Sequence, residues 1–239
     1  MTLLHRRTVV GSTQDEAFAL AASGAPAGTA VVAEVQEGGR GSRGQRWASA
    51  AGGLWLSVLL RPAATAASEL ASLRAGLAVA QALGALDDLP AAQLKWPNDL
   101  LLDGRKVGGV LVEAQWTAAR LEALVIGVGL NVRNVPPTDA RWPAVRLAEW
   151  LPAVQVEAVL RLVLPALQQL SLDGASLAAA EITAFASRDA LRGAALAEPS
   201  VGTADGVADD GQLRVRAADG TITLLRSGPI VPVAAPGST

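Results

Sequence analysis

The sequence predicts an α+β protein, and three observations support this. Over residues 1–187, runs of β-branched and other apolar residues alternate with amphipathic helical segments. Several of the strand-like runs follow one another through tight turns, which indicates antiparallel neighbours. From residue 188 the sequence changes to short strands separated by Asp-Gly turns, a pattern typical of a small barrel. We therefore expect one larger domain over residues 1–187 and a small one over residues 188–239.

The first part of the chain is predicted to contain two helices and two strands. A capping-box pattern at Thr13 predicts a helix over residues 14–23. Residues 29–36 are rich in β-branched side chains, and residues 52–60 form an apolar run, so both are predicted strands. Leucines at helical spacing predict a second helix over residues 68–86, with one face in the core.

The middle of the chain is predicted to form an antiparallel meander. Two short extended pieces lie within residues 93–102, and Asp103-Gly104 is a favoured two-residue hairpin turn. The chain then returns as predicted strands over residues 105–113 and 121–129. Lysine, asparagine and aspartate interrupt these strands where a purely structural hairpin would carry apolar or turn residues. The polar breaks are therefore candidates for a functional site.

The remaining elements are predicted from periodicity and turn residues. Helices are expected over residues 144–150, 155–172 and 176–186. Short strands are expected near residues 193–197, 201–208, 211–216 and 221–226.

A glycine- and arginine-rich loop follows the predicted strand 29–36. Residues 36–47, Gln-Glu-Gly-Gly-Arg-Gly-Ser-Arg-Gly-Gln-Arg-Trp, contain four glycines and three arginines. Glycine lets backbone N–H groups approach an anion, arginine adds charge-assisted hydrogen bonds to phosphate or carboxylate, and Trp47 offers a flat face to a base or ring. For such a loop on its own, the alternative is an ordinary mobile surface loop with solvated charges.

Polar residues in the meander suggest chemistry at the same site. Lys106 precedes two glycines and is suited to binding a carboxylate or phosphate. Asp99 is suited to holding Mg²⁺ through water or to taking a proton from an attacking amine, while Asn98 and Asn131 are suited to an adenine or a metal-bound phosphate. The alternatives are a solvated lysine and turn residues that stabilise their own loops.

Composition excludes several classes of function. The chain has no cysteine, which removes disulfides, thiolate zinc sites and a cysteine nucleophile. A single histidine, His5, makes a Ser-His-Asp triad or a histidine-rich metal centre difficult to assemble. No P-loop sequence occurs, and the net charge of −2 gives no broad nucleic-acid footprint. With no signal peptide and no charge-free apolar run of membrane length, we expect a cytoplasmic protein.

The remaining residues suggest anion and nucleotide handling without a side-chain nucleophile. Reaction by electrostatic positioning fits such a set. A carboxylate would be held against an α-phosphate, metal and cationic side chains would balance the developing charge, and pyrophosphate would leave.

Four segments resemble the successive signatures of biotin protein ligases, in the order of that family: Gly39–Trp47, Lys95–Asp99, Lys106–Glu113 and Gly127–Asn131. Ser12-Thr13-Gln14 is similar to the family's Ser-Thr-Asn motif. The resemblance covers nearly the whole chain. It implies a mixed β-sheet catalytic domain over residues 1–187, with helices on one side, followed by a small SH3-like β-barrel over residues 188–239.

The resemblance also implies the activity of a biotin–[acetyl-CoA-carboxylase] ligase. Such an enzyme activates biotin with ATP and Mg²⁺ to biotinyl-5′-AMP and pyrophosphate, then transfers biotin to a lysine of a carrier domain, typically that of acetyl-CoA carboxylase. The implied biotin-binding residues are Ser12, Thr13, Gln36, Gly39, Arg40, Lys106 and Gly109. The implied ATP- and adenylate-binding residues are Trp47, Lys95, Asn98 and Asn131. Arg40, Arg43 and Lys106 would steady the charged intermediate, and Asp99 would serve lysine transfer or hold Mg²⁺ through water.

The sequence departs from the family pattern at three places. Ser42 and Gln45 occupy positions where the family loop commonly has arginine, and Gly228 is followed by proline where an acidic residue is usual. The pattern begins within the first dozen residues, so we expect a ligase without a DNA-binding domain that does not repress transcription. Edge strands of the sheet are expected to allow a homodimer.

Two other functions remain open at this point. A lipoate or octanoate transferase shares the sheet, although the Gly-Arg-Gly loop beside Lys-Trp-Pro-Asn-Asp is not expected of one. A non-catalytic biotin or nucleotide sensor would keep the ligand site and lack transfer.

Overall fold

A seven-stranded mixed sheet is the centre of the fold. The computed structural model describes residues 4–61, 67–118, 120–137, 142–228 and 230–233. The strands of this sheet are β1 (Leu4–Val10), β2 (Ala30–Gln36), β3 (Leu54–Leu60), β4 (Gln93–Lys95), β5 (Asp99–Leu102), β6 (Arg105–Thr117) and β7 (Arg120–Leu130). Their order is β1-β2-β3-β7-β6-β5-β4, and only β1 and β2 run parallel. The predicted mixed sheet is thus confirmed.

The predicted meander is the β4–β7 half of this sheet. Asp103 and Gly104 form the turn between β5 and β6 with φ of 46° and 71°, the left-handed backbone that a two-residue hairpin turn needs. Strand β5 pairs with β6 only up to Gly109. The meander therefore brings together the end of β4, the start of β5, the start of β6 and the end of β7.

Helices cover both faces of the sheet. They are α1 (Thr13–Ala22), α2 (Ala67–Leu83), α3 (Val156–Gln168) and α4 (Ala179–Ala186). Strand residues such as Val58 and Ile126 pack against α2 and α3 in the main core. Their neighbours along the strands, Leu59 and Val125, point the other way and pack against Ala17 of α1 in a separate cluster.

The expectation of helices on one side is therefore wrong for α1. This helix joins two parallel neighbouring strands, β1 and β2, and the crossover places it on the face opposite α2 and α3. Small residues such as Ala17 and Ala21 allow α1 to lie close to the sheet. Its N-terminus consequently lies beside the C-terminal end of β2, where the glycine loop begins.

A second sheet of five antiparallel strands follows. Its strands are β8 (Ala195–Glu198), β9 (Gly202–Val207), β10 (Leu213–Arg216), β11 (Ile222–Leu225) and β12 (Val231–Pro232), in the order β11-β10-β9-β8-β12. These strands are compatible with the predicted barrel, and within the described part of the chain no pairing joins β11 to β12. Trp96 Nε1 donates to the Gly211 carbonyl over 2.9 Å. The second sheet therefore packs beside the first sheet where β4 ends.

Among the described residues, no helix combines the length and apolar character that crossing a membrane requires.

Arg61 fastens the C-terminal end of α1 to the sheet. Its guanidinium donates to the carbonyls of Ala21 and Ala25, each over 3.0 Å, and of Glu122 over 2.8 Å. We expect Arg61→Ala to lower the free energy of unfolding by about 1–2 kcal/mol, because these carbonyls lose a charged donor. Urea denaturation measures this. Arg161→Ala, which removes an exposed ion pair with Glu157 on α3, is the control and should change stability by less than about 0.5 kcal/mol. Equal effects of the two substitutions would contradict the role of Arg61 in holding α1 to the sheet.

Candidate active site

One pocket of about 780 Å³ lies between the glycine loop, the N-terminus of α1 and the end of the meander where β4 and β7 finish and β5 and β6 begin. Gly228, Ile230 and Pro232 from the second sheet close one side of it. The predicted site residues that line it are Ser12, Thr13, Gln36, Arg40, Arg43, Trp47, Lys95, Asn98, Asp99, Lys106, Gly109 and Asn131. Predicted site residues up to 119 positions apart in the sequence thus meet at one place, Ser12 and Asn131 being the furthest apart of that set.

A hydrogen-bonded polar cradle forms one end of the pocket. Gln36 Oε1 accepts from both the backbone N–H and the hydroxyl of Thr13, over 2.8 and 3.0 Å. The same hydroxyl lies 2.8 Å from Ser57 Oγ, and Gln36 Nε2 donates to Ser49 Oγ over 2.9 Å. These bonds fix which atoms of Gln36 donate and accept. Because Thr13 and Ser57 are buried, the cradle is set before a ligand arrives.

Ser12 holds the start of α1 beside this cradle. It is the N-cap residue, and its hydroxyl accepts from the backbone N–H of Gln14 over 3.2 Å. The cap is therefore one residue earlier than the capping-box pattern at Thr13 predicted, and this role of Ser12 coexists with a place on the pocket wall.

The glycine loop folds back on itself beside the pocket. The backbones of Arg40 and Arg46 pair as an isolated antiparallel bridge. Between them a short 3₁₀ turn at Ser42–Gly44 reverses the chain, with Arg43 at a φ of 59°. Gly39 does not line the pocket among the described residues. A Cβ there would lie 2.6 Å from the Trp47 carbonyl oxygen, so glycine is needed for the close backbone approach.

The two departures from the family loop both line the pocket. Ser42 and Gln45 lie on its wall together with Arg43 and Arg46. The loop therefore keeps two cationic side chains on the pocket wall at the positions next to the missing arginines.

Two lysines share one carboxylate at the other end of the pocket. Lys106 Nζ lies 2.5 Å from Asp99 Oδ1, and Lys95 Nζ lies 3.3 Å from Asp99 Oδ2. Lys106 Nζ also lies 5.1 Å from the centre of the Trp47 ring. Two positive charges against one negative charge leave this end cationic, which suits a phosphate.

Burial changes the acidity of one of these lysines. Removal from water lowers the pKa of Lys95 below its ordinary value, and attraction to Asp99 offsets part of that effect. Lys95 therefore loses its proton at a lower pH than an ordinary lysine does.

Asp99 does not fit a resident Mg²⁺ site. Both carboxylate oxygens already face ammonium groups, and within the described ranges no group of three or more His, Cys, Asp or Glu side chains is placed to hold a metal. A Mg²⁺ that accompanies nucleotide phosphates would enter as part of the substrate. The predicted role of Asp99 as a water-bridged ligand stays a prediction that this arrangement does not support.

Asn98 and Asn131 use their amides to hold the pocket wall. Asn98 Nδ2 donates to the Val110 carbonyl over 2.8 Å, and Asn131 Nδ2 donates to the Val145 carbonyl over 3.1 Å. Asn131 Oδ1 accepts from Asn134 over 2.9 Å. Both residues line the pocket, while these side-chain bonds serve the surrounding loops.

Several residues on or beside the pocket were not selected from the sequence, and those whose polar or aromatic groups matter most include Gln14, Ser57, Glu113 and Trp142. Trp142 lies with its ring 4.9 Å below Lys95 Nζ and donates from Nε1 to the Gly104 carbonyl over 2.9 Å. Its position places a second flat aromatic face at the cationic end of the pocket. Ser57 is the polar residue in an otherwise apolar buried strand, which is the sign that could have identified it.

Known proteins are similar to this chain in sequence and in fold. Residues 8–131 match the model of the Biotin/lipoate A/B protein ligase family. The chain is 40% identical over 128 residues to the bifunctional ligase/repressor of Bacillus spizizenii, covering 53% of this chain and 39% of that protein. It is 42% identical over 136 residues to the biotin–[acetyl-CoA-carboxylase] ligase of Paracoccus denitrificans, covering 55% of each. The chain thus spans about half or less of the length of these curated relatives.

The structural likeness extends further than the sequence likeness. The biotin protein ligase from Aquifex aeolicus, solved in complex with biotin and ATP, superimposes with a TM-score of 0.78 at 28% identity. The match covers 98% of this chain and 99% of that one. It includes the second sheet, which lies beyond the residues matched by the family model.

Proposed function

The chain belongs to the Biotin/lipoate A/B protein ligase family, and from that premise we propose that it is a biotin–[acetyl-CoA-carboxylase] ligase. It activates biotin with ATP to biotinyl-5′-AMP and pyrophosphate, and it transfers biotin to a lysine of a biotin carrier domain. The observation that carries this proposal is the pocket itself, which joins a neutral hydrogen-bonded cradle to a cationic end.

The two ends of the pocket suit the two substrates. The cyclic urea of biotin offers one carbonyl and two N–H groups, which match the hydroxyls of Thr13 and Ser57 and the amide of Gln36. ATP offers phosphates to Lys95 and Lys106 and a base to the aromatic faces of the pocket. With biotin in the cradle, its carboxylate points toward the cationic end.

Activation joins the biotin carboxylate to the α-phosphorus of ATP. A carboxylate oxygen attacks phosphorus, the new O–P bond forms, and the bond to the β-phosphate oxygen breaks to release pyrophosphate. Lys106, Lys95 and Arg43 balance the negative charge that builds on the α-phosphate and the leaving group. Holding the two reactants in line supplies much of the remaining acceleration.

Transfer joins biotin to the carrier. The neutral ε-amine of the carrier lysine attacks the carbonyl carbon of the adenylate, the amide bond forms, AMP leaves with the bonding electrons of the C–O bond, and the proton lost by the amine passes to solvent. We assign Asp99 to orienting the incoming amine, in addition to its ion pairs with Lys95 and Lys106. The glycine loop keeps water away from the mixed anhydride.

The lowered pKa of Lys95 predicts the alkaline limit of activation. The ordinary lysine pKa is 10.5, and a group whose pKa lies below that value loses its charge at lower pH. We expect the rate of biotin-dependent pyrophosphate exchange to fall on the alkaline side before pH 10.5, and we expect Lys95→Arg to move this fall to higher pH because arginine stays charged. A pH profile of the exchange rate measures both. Identical alkaline limbs in the two proteins would contradict the assignment.

Biotin-dependent ATP–pyrophosphate exchange on the purified protein tests the proposed function. Addition of a biotin carrier domain, weighed by mass spectrometry, then tests transfer. Exchange followed by a mass increase of one biotin is the expected result. Exchange with lipoate or octanoate in place of biotin would replace the proposal with the rival transferase. Binding of biotin without any exchange would favour a sensor.

The proposal extends to domains and partners. We assign catalysis to residues 1–187 and assign to residues 188–239 a small SH3-like domain that closes the pocket. The partner is a biotin carboxyl carrier domain. A homodimer through the free strand edges, a cytoplasmic location, and the absence of DNA binding and membrane attachment remain predictions.

A further inference from the structure

The guanidinium of Arg40 is occupied by two carboxylates from different elements. Its Nη1 and Nη2 donate to the two oxygens of Asp15 over 2.9 and 2.7 Å, a bidentate pair. Its Nη2 also donates to Glu113 Oε2 over 3.0 Å. Asp15 lies in the first turn of α1, and Glu113 lies on β6. Arg40 therefore ties the glycine loop to both α1 and β6.

Glu113 connects this arrangement to the interior of the pocket. The oxygen that accepts from Arg40 also accepts from Gln14 Nε2 over 2.7 Å. Gln14 is buried against Gly127, and its Oε1 has no hydrogen-bond partner. The amide nitrogen is held by Glu113, and the unpaired oxygen is buried against Gly127, so Glu113 sets the orientation of a side chain that belongs to the pocket wall.

We propose that Asp15, Arg40 and Glu113 form a latch that holds the glycine loop closed over the pocket, and that Glu113 couples this latch to the orientation of Gln14 on the pocket wall. The inference rests on the proposed function for the identity of the ligand, biotin. Asp15 and Glu113 are positioning residues in this account. Arg40 acts chiefly on the loop, and the charge of the activated intermediate falls to Arg43 and the two lysines.

The electrostatics of the latch agree with its geometry. Hydrogen bonds from Arg40 hold the pKa of Asp15 below its ordinary value, so Asp15 stays ionised through the neutral range. Isolated exposed ion pairs contribute little to stability, whereas bidentate and networked pairs contribute more. This latch is both bidentate and networked, so the loss of either arm should increase loop opening several-fold.

Limited trypsin digestion of the ligand-free protein tests the latch without using activity. Trypsin cleaves after Arg43 and Arg46, which lie in the loop. We expect cleavage there to be about three- to ten-fold faster in Asp15→Asn and in Glu113→Gln, because cleavage follows the open population. Glu16→Gln is the matched control, since Glu16 is in the same helical turn but pairs with Arg7. Unchanged cleavage in both latch variants would overturn the latch, whatever the protein catalyses.

Kinetics test the coupling through Glu113. Both latch variants should shorten the lifetime of the enzyme-bound adenylate, measured by its release into solution. Only Glu113→Gln should also raise the KM for biotin, by about ten-fold, since only this change frees the Gln14 amide. Glu113→Asp should restore part of that KM because the carboxylate is kept. An equal rise in KM for Asp15→Asn, or none for Glu113→Gln, would overturn the coupling.

Discussion

Biotin activation should fall by about 10²–10³-fold in a Lys106→Ala variant, the loss that follows removal of one transition-state donor from a preorganised site. Lys106 Nζ is bonded to Asp99 and lies over the Trp47 ring, so its position is fixed before substrates bind. Alanine would leave the charge on the α-phosphate to Arg43 and to Lys95, which burial already makes a poorer cation. Biotin-dependent pyrophosphate exchange measures the loss.

The neighbouring residue provides the control for this substitution. Arg105 pairs with Glu149 over 2.8 Å and lies 5.1 Å from the Trp150 ring, away from the pocket. Arg105→Ala should therefore leave exchange within about two-fold of the starting protein. Near-normal exchange in Lys106→Ala, with the fold intact by circular dichroism, would remove Lys106 from the reaction.

Prediction of the fold from sequence succeeded where pattern and turn chemistry act locally. The Asp103-Gly104 hairpin, the buried strand β3 and the short C-terminal strands all follow from such local features. Strand β1 was missed because it is an edge strand, and half-exposed arginines interrupt the alternation that identifies a strand. The placement of α1 was missed because periodicity shows which side of a helix is buried and does not show which face of a sheet covers it.

The sequence pointed to pocket residues that lie in recognisable segments, and it missed pocket residues that only the fold brings in. Ser12, Gln36 and Lys106 lie in motifs and line the pocket, as expected. Trp142 lies in a proline-rich connection, and its place in the pocket depends on pairing of the next residues with Lys106. Glu113 was named only as the end of a strand motif, because its two partners lie 73 and 99 residues away.

Gly129, the β7 residue that faces Trp47, is a second position where a single substitution should greatly reduce activity. A Cβ at Gly129 would lie 2.7 Å from Trp47 Nε1 and 2.8 Å from its Cε2. Gly129 lies in β7, between β3 and β6, so the backbone cannot yield and the indole must move. Since that indole lies beside Lys106, we expect Gly129→Ala to reduce kcat/KM for ATP by about 10–100-fold.

A second substitution separates displacement of the indole from damage to the sheet. Trp47→Phe shortens the ring system that the new methyl group would meet, so the double variant should recover part of the kcat/KM that Gly129→Ala loses. Trp47→Phe alone should lose activity, because the ring beside Lys106 becomes smaller. The four proteins form a double-mutant cycle in which the two changes should be strongly non-additive. Additive losses, with a lowered melting temperature for both Gly129→Ala proteins, would show that the glycine serves the sheet and not the placement of Trp47.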